Sequence, residues 1–294
     1  MTSVSYIVTI YNKESCIKEM VLGLKNQIGN FDREFIFVDD GSTDNSLSEL
    51  RLATTGMTNV HIVTQDNAGP SKAVNTGIKL AKCDYVCLVD GDDKLLPDAT
   101  TTLIDLKKNT GCKVVKGIHV NNYSGNFRYN NKTQIIQDSF KKALRFMTVG
   151  SSVSLIETNL LNQVRGCDER VFIQDYSLAL RLSKLTNFAI INKVIAHNID
   201  QGQQRLSSNK LGENRDAAYA RYYFVKDNLN IEQQLKLIAL SAQMKKSWSW
   251  FRKHNPNPFY SKYLFRYIVT RGALFNLEDE LILRWMKEAC EIYS

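Results

Sequence analysis

The sequence predicts an α/β fold, in which a mostly parallel sheet is sandwiched by helices, with an all-helical region at the C-terminal end. In the first part of the 294 residues, short apolar runs alternate with segments of helical apolar spacing, which is typical of a parallel sheet with crossover helices. The last part has helical spacing and no strand signal. We therefore expect an α/β domain over residues 1–210 and a helical subdomain over residues 211–294.

The strands of the α/β part are predicted from short apolar runs, several of which end in polar residues. The first five lie at 5–10, 35–38, 59–63, 84–90 and 114–118. Residues 86–89 are all apolar without alternation, which indicates a central strand covered on both faces. Because Asn, Ser, Thr and Pro favour helix starts, helices are predicted to begin near Asn12, Ser42 or Thr43, Pro70 and Pro97.

The rest of the α/β part shows shorter patterns. Residues 121–132 are rich in Asn, Gly and Tyr without a period, and we interpret them as a surface loop. Beyond this loop the spacing predicts an apolar segment ending at 156, helices at 157–163 and 176–185, and strands at 188–191 and 194–197. After a polar loop at 199–209, apolar stripes at helical spacing predict helices from near Leu211 onward.

Acidic residues follow the predicted strand at 84–90. Asp90 and Asp92 are separated only by Gly91, and their carboxylates repel each other unless a cation holds them. Hard oxygen ligands select Mg²⁺ or Mn²⁺, and the carboxyl end of a strand is where open α/β sheets bind ligands. The alternative is a polar turn that simply ends the strand, since Asp and Gly are ordinary turn residues.

Composition limits the class of protein. The net charge of +8 suits an anionic partner such as a nucleotide, an acidic glycan, nucleic acid or an anionic membrane. No apolar run approaches the ~20 residues of a membrane-spanning helix, and a strand predicted from Ser5 leaves no room for a signal peptide. The six cysteines lack the paired spacing of zinc or redox sites, so we interpret them as reduced. These features predict a cytoplasmic protein.

Four stretches resemble, in order, the nucleotide-binding half of the family 2 glycosyltransferases, which have the Rossmann-like A-type fold. They are VTIYN at 8–12, FVDDGSTD at 37–44, NAGPSKAVNTG at 67–77 and DYVCLVDGDD at 84–93. GCDE at 166–169 and QD at 174–175 resemble the acceptor half. The resemblance implies a nucleotide-binding half at 1–119 and an acceptor half at 120–210. It also implies transfer of a sugar from a UDP-sugar to an acceptor hydroxyl, with inversion at the anomeric carbon.

The resemblance implies a role for particular residues in binding the donor. Asp39 would accept the uracil N–H, since a carboxylate accepts only from a donor. The nucleotide-binding residues implied are Thr9, Tyr11, Asp39, Asn67, Gly69, Lys72, Asp90 and Gly91. Mn²⁺ or Mg²⁺ would be held by Asp92, Asp90 and His197, with Asp93 as a further carboxylate, and would neutralise the leaving diphosphate. The alternative for His197 is a strand-end histidine that binds no metal.

Asp175 lies where the family has its general base, which would take the proton of the acceptor hydroxyl. Its alternative role is the N-cap of the helix predicted at 176–185, and the two roles are compatible. Contacts to the donor or acceptor sugar are assigned to Gly150, Ser151, Gln174 and Arg205. Two departures from the family pattern are Gln174, where relatives commonly have Glu, and Val74, where they often have a basic residue.

The acceptor is predicted to be a cell-surface glycan, such as lipopolysaccharide, capsule or a related polysaccharide. The Gln-x-x-Arg-Trp motif of processive relatives is absent, which favours addition of a single sugar. Between Lys245 and Arg271 there are seven Lys or Arg residues and no Asp or Glu, interleaved with aromatic residues. We call residues 245–271 the basic segment.

Three interpretations of the basic segment are open. Cations and aromatics together suit the surface of an anionic membrane, which predicts peripheral attachment at the inner face of the cell membrane and a lipid-linked oligosaccharide as acceptor. The second interpretation is a helix pair that packs its aromatics on the core. Nucleic-acid binding ranks last, because no recognition motif accompanies the charge.

Two rival functions remain. A sugar-nucleotide nucleotidyltransferase would need a glycine-rich, Arg-containing loop after the first strand, and residues 8–15 contain neither Gly nor Arg. A catalytically degenerate protein that binds a nucleotide-sugar or glycan without turnover is the non-enzymatic rival. The departures at Val74 and Gln174 keep the second rival open.

Overall fold

The computed structural model describes residues 1–121, 130–145, 152–199, 210–255, 257, 261–271 and 277–293. Its centre is a sheet of nine described strands in the order β3-β2-β1-β4-β8-β6-β9-β5, with β7 paired to β9. The strands are β1 (Ser3–Ile10), β2 (Asp32–Asp39), β3 (Val60–Thr64), β4 (Tyr85–Asp90), β5 (Asp93–Leu95), β6 (Val114–Val120), β7 (Thr133–Ile136), β8 (Ser154–Glu157) and β9 (Phe188–Asn198).

The sheet is mixed but mostly parallel. Strands β1, β2, β3, β4, β6 and β9 run in one direction, while β5, β7 and β8 run in the other. Along β4, Val86 and Leu88 belong to the core on one face and Cys87 and Val89 to the core on the other. Both faces are therefore covered, as the unalternated apolar run predicts.

Helices α1 to α7 precede the C-terminal region, and all of them except α5 contribute side chains to the two cores on the faces of the sheet. They are α1 (Ile17–Lys25), α2 (Ser46–Ala53), α3 (Pro70–Leu80), α4 (Ala99–Thr110), α5 (Ser139–Arg145), α6 (Thr158–Val164) and α7 (Gln174–Ser183). Helix α3 begins at Pro70, where proline's missing N–H costs no intrahelical bond. A side chain on Gly77 would overlap Ile7 of β1, so glycine lets α3 lie close against the sheet.

The predicted starts of the first two helices are wrong. Helix α1 begins at Ile17, because Asn12 has a φ of 51° and its side chain accepts a hydrogen bond from the Thr43 N–H at 2.8 Å. Helix α2 begins at Ser46, whose N–H donates to the Asp44 carboxylate at 2.9 Å. The polar residues after β1 and β2 thus bond to each other across the sheet edge.

Several short elements are not in the sequence-based prediction. Strands β5 and β7 and helix α5 have no apolar pattern long enough to predict them, and they form through long-range pairing. The two strands predicted at 188–191 and 194–197 are one strand, β9, whose register against β6 shifts near Ile118. Most of the predicted loop at 121–132 lies outside the described residues.

The C-terminal region is helical in its described part, as predicted. It contains α8 (Lys210–Asp227), α9 (Gln233–His254), α10 (Lys262–Arg271) and α11 (Asp279–Glu291). Their core is continuous with Leu144 of α5 and with Tyr176 and Leu180 of α7. The division of the chain near residue 210 stays a prediction. Among the helices in the described ranges, none combines the length and the hydropathy of a membrane-spanning segment.

Most aromatic residues of the basic segment that the structure describes pack inward. Trp248, Trp250 and Tyr267 contact the helical core, and Arg252 lies over the Trp248 ring. Phe259 and Tyr260 lie outside the described residues. On α10, by contrast, Phe265 is 65% exposed and Ile268 is 61% exposed. The packing interpretation therefore accounts for the aromatics of α9 but not for the exposed Phe265 and Ile268 of α10.

Candidate active site

The predicted site residues of the first half lie along the carboxyl edge of the parallel strands. Asp39 ends β2 and is opposite Ile10 of β1, and Asp90 ends β4 and is opposite Thr9 of β1. Because β1 lies between β2 and β4, the two carboxylates flank the end of a single strand. Tyr11 follows β1 at this edge and is exposed. The structure thus brings Thr9, Tyr11, Asp39 and Asp90 to one rim.

Asp39 offers a buried acceptor atom at this rim. Its side chain is 4% exposed, and Oδ2 accepts a hydrogen bond from the Ser42 N–H at 3.3 Å. Oδ1 is buried and has no hydrogen-bond partner among the described residues. Since a buried carboxylate oxygen without a donor costs free energy, this atom is suited to accept an N–H from a ligand.

The neighbouring residue Asp40, which the sequence analysis missed, holds the loop that carries Asn67 and Gly69. Its carboxylate accepts from the Gln65 side chain at 2.7 Å, the Ala68 N–H at 3.0 Å and the Gly69 N–H at 2.9 Å. The side chain of Asn67 is exposed at the rim, as is that of Lys72 on α3. The loop is therefore fixed while its side chains stay accessible.

Gly91 lets the turn after β4 pass close to β1. A Cβ at this position would lie 2.8 Å from the Thr9 carbonyl oxygen, closer than real contacts allow. The backbone of 91 therefore fits against the end of β1 only without a side chain. The close approach of Gly91 to Thr9 fixes the spacing of Asp90 and Asp92, which flank Gly91 in the sequence.

Asp92 carries an ion pair that the sequence did not predict. Lys13 Nζ lies 2.8 Å from Asp92 Oδ2, and the two side chains are 20% and 18% exposed. The only sequence signal for Lys13 is its place three residues after the end of β1, in the loop that faces the rim. Asp92 thus attracts a cation within this edge of the sheet.

The side chain of Asp93 lies in a different environment from those of Asp90 and Asp92. It is buried, with Oδ1 2.7 Å from His119 Nε2 and Oδ2 accepting from the Ser152 hydroxyl at 2.5 Å. Since both oxygens are already engaged, Asp93 is poorly suited to be a further metal ligand. It instead ties β6 and the start of the β8 segment to the turn after β4.

Asp175, the predicted general base, approaches Asp90 from the other half of the chain. Burial, followed by the charges of Asp93, Asp175 and Asp92, holds the pKa of Asp90 well above its ordinary value. The Lys116 ammonium acts in the opposite direction and lowers that pKa. Asp175, 85 positions further along the chain, is therefore close enough to Asp90 for their carboxylates to repel.

Lys116 of β6 is a second cation that interacts electrostatically with these acids. Its Nζ donates to the Ser152 carbonyl oxygen at 2.6 Å. Burial lowers the pKa of Lys116, while the carboxylates of Asp175, Asp90 and Asp93 raise it. No sequence pattern singles out this lysine, because its neighbours come from β4, α7 and the segment before β8.

The first turn of α7 presents Gln174 and Asp175 to the site. Ile173 occupies the N-cap, so the alternative role of Asp175 as N-cap is wrong, and it lies in the first helical turn. Gln174 Nε2 donates to Asp90 Oδ1 at 3.4 Å, whereas its Oε1 is buried without a partner among the described residues. Gln174 thus keeps an acceptor available beside Asp90.

The remaining predicted residues are His197, Gly150, Ser151 and Arg205. His197 lies on β9 opposite Lys94 of β5, and its Nδ1 is 3.0 Å from the Asn198 carbonyl oxygen. Within the described ranges, no three His, Cys, Asp or Glu side chains form a ready metal-binding group. Gly150, Ser151 and Arg205 lie outside the described residues.

Removal of the Asp90 charge is expected to stabilise the protein when no ligand is bound. When folding raises the pKa of a carboxyl group, the folded state resists ionisation of that group. The free energy of unfolding of the protein therefore falls as the pH rises through the raised pKa. Asp90→Asn should therefore raise the Tm by about 2–4 °C near pH 7, the shift that about 1 kcal/mol produces in a domain of this size.

Thermal denaturation followed by circular dichroism would measure this shift, and the gain should shrink as the pH is lowered. Asp105→Asn, which changes an exposed aspartate of α4, is the matched control and should leave the Tm unchanged. An equal or lower Tm for Asp90→Asn would show that Asp90 is not under electrostatic strain.

Comparison with known proteins gives consistent matches. The family model described as glycosyl transferase family 2 matches residues 5–181. The poly(ribitol-phosphate) beta-glucosyltransferase of Bacillus spizizenii is 33% identical over 117 residues, which cover 39% of this chain and 18% of that protein. The chondroitin synthase of Escherichia coli is 26% identical over 208 residues, which cover 68% of this chain and 29% of that protein.

Solved structures match over a longer range. The crystal structure of S. aureus TarS 1–349 in complex with UDP-GlcNAc superposes with a TM-score of 0.69 at 18% identity, covering 100% of this chain and 89% of that one. At this identity the match concerns the fold, and it confirms the predicted A-type fold. Among the sequence relatives, this chain spans 18% and 29% of the length of the two described above.

Proposed function

Because this chain belongs to glycosyl transferase family 2, we propose that it transfers a sugar from a UDP-sugar to a hydroxyl group of a cell-surface glycan, one sugar at a time and with inversion. The observation that carries this proposal is that the first turn of α7, which contains Asp175, reaches Asp90, since Gln174 Nε2 lies 3.4 Å from Asp90 Oδ1 and the Asp175 charge raises the pKa of Asp90. A base beside a diphosphate site is what transfer to a hydroxyl requires.

The donor is a uridine nucleotide in this proposal. Asp39 Oδ1, which has no partner in the described part of the chain, accepts the uracil N–H, and the exposed Tyr11 and Asn67 lie beside it. The backbone near Gly69 and the Lys72 side chain complete the nucleotide site. S. aureus TarS, which has a similar fold, was crystallised with UDP and with UDP-GlcNAc. This supports a UDP-sugar as the donor of the present chain.

The donor set at Asp90 and Asp92 fits a divalent ion. Mg²⁺ commonly binds one or two carboxylates together with substrate phosphates, so the lack of a three-residue group does not speak against it. Burial and the neighbouring carboxylates raise the pKa of Asp90, and a divalent ion would relieve the repulsion between them, while the Lys13 ammonium that pairs with Asp92 would have to move aside. Bound Mn²⁺ or Mg²⁺ would supply neutralisation of the charge that develops on the leaving UDP.

Asp175 then acts on the acceptor. Its carboxylate takes the proton of the acceptor hydroxyl while the hydroxyl oxygen attacks the anomeric carbon from the face opposite UDP, and this produces inversion. The unpartnered Gln174 Oε1 accepts a hydrogen bond from a sugar hydroxyl. The Asp175 charge raises the pKa of Lys116 against the larger lowering by burial, so the two groups interact electrostatically.

The direct test is release of UDP. The protein is incubated with Mn²⁺, a panel of UDP-sugars and acceptor glycans, and free UDP and glycosylated product are measured. Product formation with one donor supports transfer, and nuclear magnetic resonance of the product gives the anomeric configuration. Binding of UDP-sugars without product would favour the degenerate binding protein, which the substitution of Gln for Glu at 174 keeps open.

We also propose that α10 holds the protein at an anionic membrane. Phe265 and Ile268 are exposed on this helix, and Lys262 and Arg271 are exposed on either side of them. Apolar side chains flanked by cations fit the boundary between lipid headgroups and acyl chains. Attachment at the inner face of the membrane would bring a lipid-linked acceptor to the site.

The double variant Phe265→Ser/Ile268→Ser is expected to reduce binding to anionic vesicles by about 100-fold or more, because two apolar side chains that become buried in the membrane contribute about 1.5–3 kcal/mol each. Sedimentation with phosphatidylglycerol vesicles measures the effect. Leu229→Ser, which removes an exposed apolar side chain from the turn after α8, is the matched control. Equal binding of the double variant and the control would rule out α10 as the membrane contact.

A further inference from the structure

Arg221 of α8 is the largest fully buried side chain in the described part of the protein, at 2% exposure. The ion pairs of the described residues do not include it. A buried guanidinium without an acid is costly, because the charge has lost its water. The contacts of Arg221 therefore need an explanation.

These contacts link the helical region to the catalytic half. Arg221 Nε donates to the Leu144 carbonyl oxygen at 2.9 Å, at the C-terminal end of α5, where carbonyls lack intrahelical partners. The guanidinium carbon lies 5.3 Å from the centre of the Tyr176 ring. The Tyr176 hydroxyl in turn donates to the Ala143 carbonyl oxygen at 2.8 Å.

Tyr176 directly follows Asp175 in the first turn of α7 and is itself buried. Its ring and hydroxyl are thus held between Arg221 and the last turn of α5. Because a helical turn is rigid, a shift of Tyr176 moves the backbone that carries Asp175. Arg221 therefore contacts the residue that directly follows Asp175, the group that we assign as the base.

We propose that Arg221 is a positioning residue, which reaches from the C-terminal helices to fix Tyr176 and, through it, the carboxylate of Asp175. This inference rests on the proposed function and adds a role for the helical region in the reaction. Arg221 does not contact the substrate, and its effect is on the geometry of proton removal.

A purely stabilising role explains the site less well. Buried ionic groups can often be replaced by apolar side chains of similar volume without loss of stability. A second cation, Lys246 of α9, lies close enough that the Arg221 charge, together with burial, lowers the pKa of Lys246. The nearby Lys246 cation raises the free-energy cost of burying Arg221. The hydrogen bond to the Leu144 carbonyl oxygen, by contrast, fixes the direction in which the guanidinium lies.

The test compares Arg221→Met, Arg221→Lys and a matched control in the full chain. R221M is expected to lower kcat by about 10- to 100-fold, the cost of misplacing a reacting group by about 1 Å, with the KM for the UDP-sugar within about twofold of wild type. R221K, whose ammonium still reaches the Leu144 carbonyl, should keep a kcat several times that of R221M. Arg33→Met, at the start of β2, removes a guanidinium that likewise donates to a backbone carbonyl oxygen, that of Gln27, and lies over an aromatic ring, that of Phe31, and it should leave kcat unchanged.

Amide hydrogen exchange provides a readout that does not depend on turnover. R221M should speed exchange at 176–180 by about tenfold relative to α3. If wild type releases no UDP with any donor, the proposed function has failed, and the exchange result alone decides whether Arg221 fixes α7. If R221M does not fold, Tyr176→Phe, which removes the bond to Ala143, and R221K take its place. A kcat and an exchange rate within about twofold of wild type would overturn the proposal.

Discussion

Asp175→Asn is expected to lower kcat for sugar transfer by about 10²- to 10⁴-fold, the usual contribution of a general base. The amide has nearly the same shape as the carboxylate but cannot take the proton of the acceptor hydroxyl. The structure favours a clean comparison, because Ile173 and not Asp175 is the N-cap of α7. Loss of one charge from the first turn should cost helix stability only about 0.3–1 kcal/mol.

Two measurements separate the chemistry from binding. Steady-state UDP release gives kcat, and calorimetric titration with UDP should give a Kd within about twofold of wild type, since Asp175 is not assigned to the nucleotide. Asp32→Asn changes an exposed aspartate at the opposite edge of the sheet and serves as the matched control. A kcat equal to that of Asp32→Asn would remove Asp175 as the base.

The strands that hold the site were predictable because each carries its own signal. The run 86–89 is apolar on both faces, and acids follow directly at the strand end, so β4 and its rim can be read from one segment. Pro70 likewise marks the start of α3 without reference to the rest of the chain. Local patterns of this kind suffice for the order of elements and for the placement of Asp39, Asp90 and Asp92 at or just after the ends of strands.

The partners of these residues were not predictable, because they come from distant segments. Lys13 pairs with Asp92 across 79 positions of sequence, and Ser152 reaches Asp93 across 59. Lys116 looks like any strand lysine until β6 is placed in the sheet beside β8. Short elements such as β5 are missed by sequence-based prediction for the same reason, because pairing with other strands and not intrinsic propensity stabilises them.

The helical region shows a similar limit. Its apolar stripes predict helices, but they do not reveal that the same core continues into α5 and α7. A charged residue inside a helix, such as Arg221, would ordinarily be assigned to the solvent face. The link between the C-terminal helices and the first turn of α7 is therefore visible only in three dimensions.

Asp92→Asn is expected to abolish the metal dependence of the reaction together with most of its rate. If Asp92 and Asp90 hold the ion, loss of one carboxylate should weaken Mn²⁺ binding by at least about 10–100-fold, the loss seen when even an outer partner of a ligand is removed. The kcat should fall by about 10²- to 10³-fold, as when one group that stabilises a developing negative charge is deleted. Addition of EDTA to wild type should have the same effect on kcat.

Electron paramagnetic resonance of Mn²⁺ in the presence of UDP measures the affinity without turnover. Lys13→Met provides a second arm with the opposite sign, because the Lys13 ammonium competes with the ion for Asp92 Oδ2. This variant should bind Mn²⁺ several times more tightly than wild type. Asp66→Asn, which changes an exposed aspartate on the loop after β3, is the control of equal charge. Unchanged Mn²⁺ affinity in Asp92→Asn, or activity that survives EDTA, would mean that Lys13 and not a metal is the cation at this carboxylate.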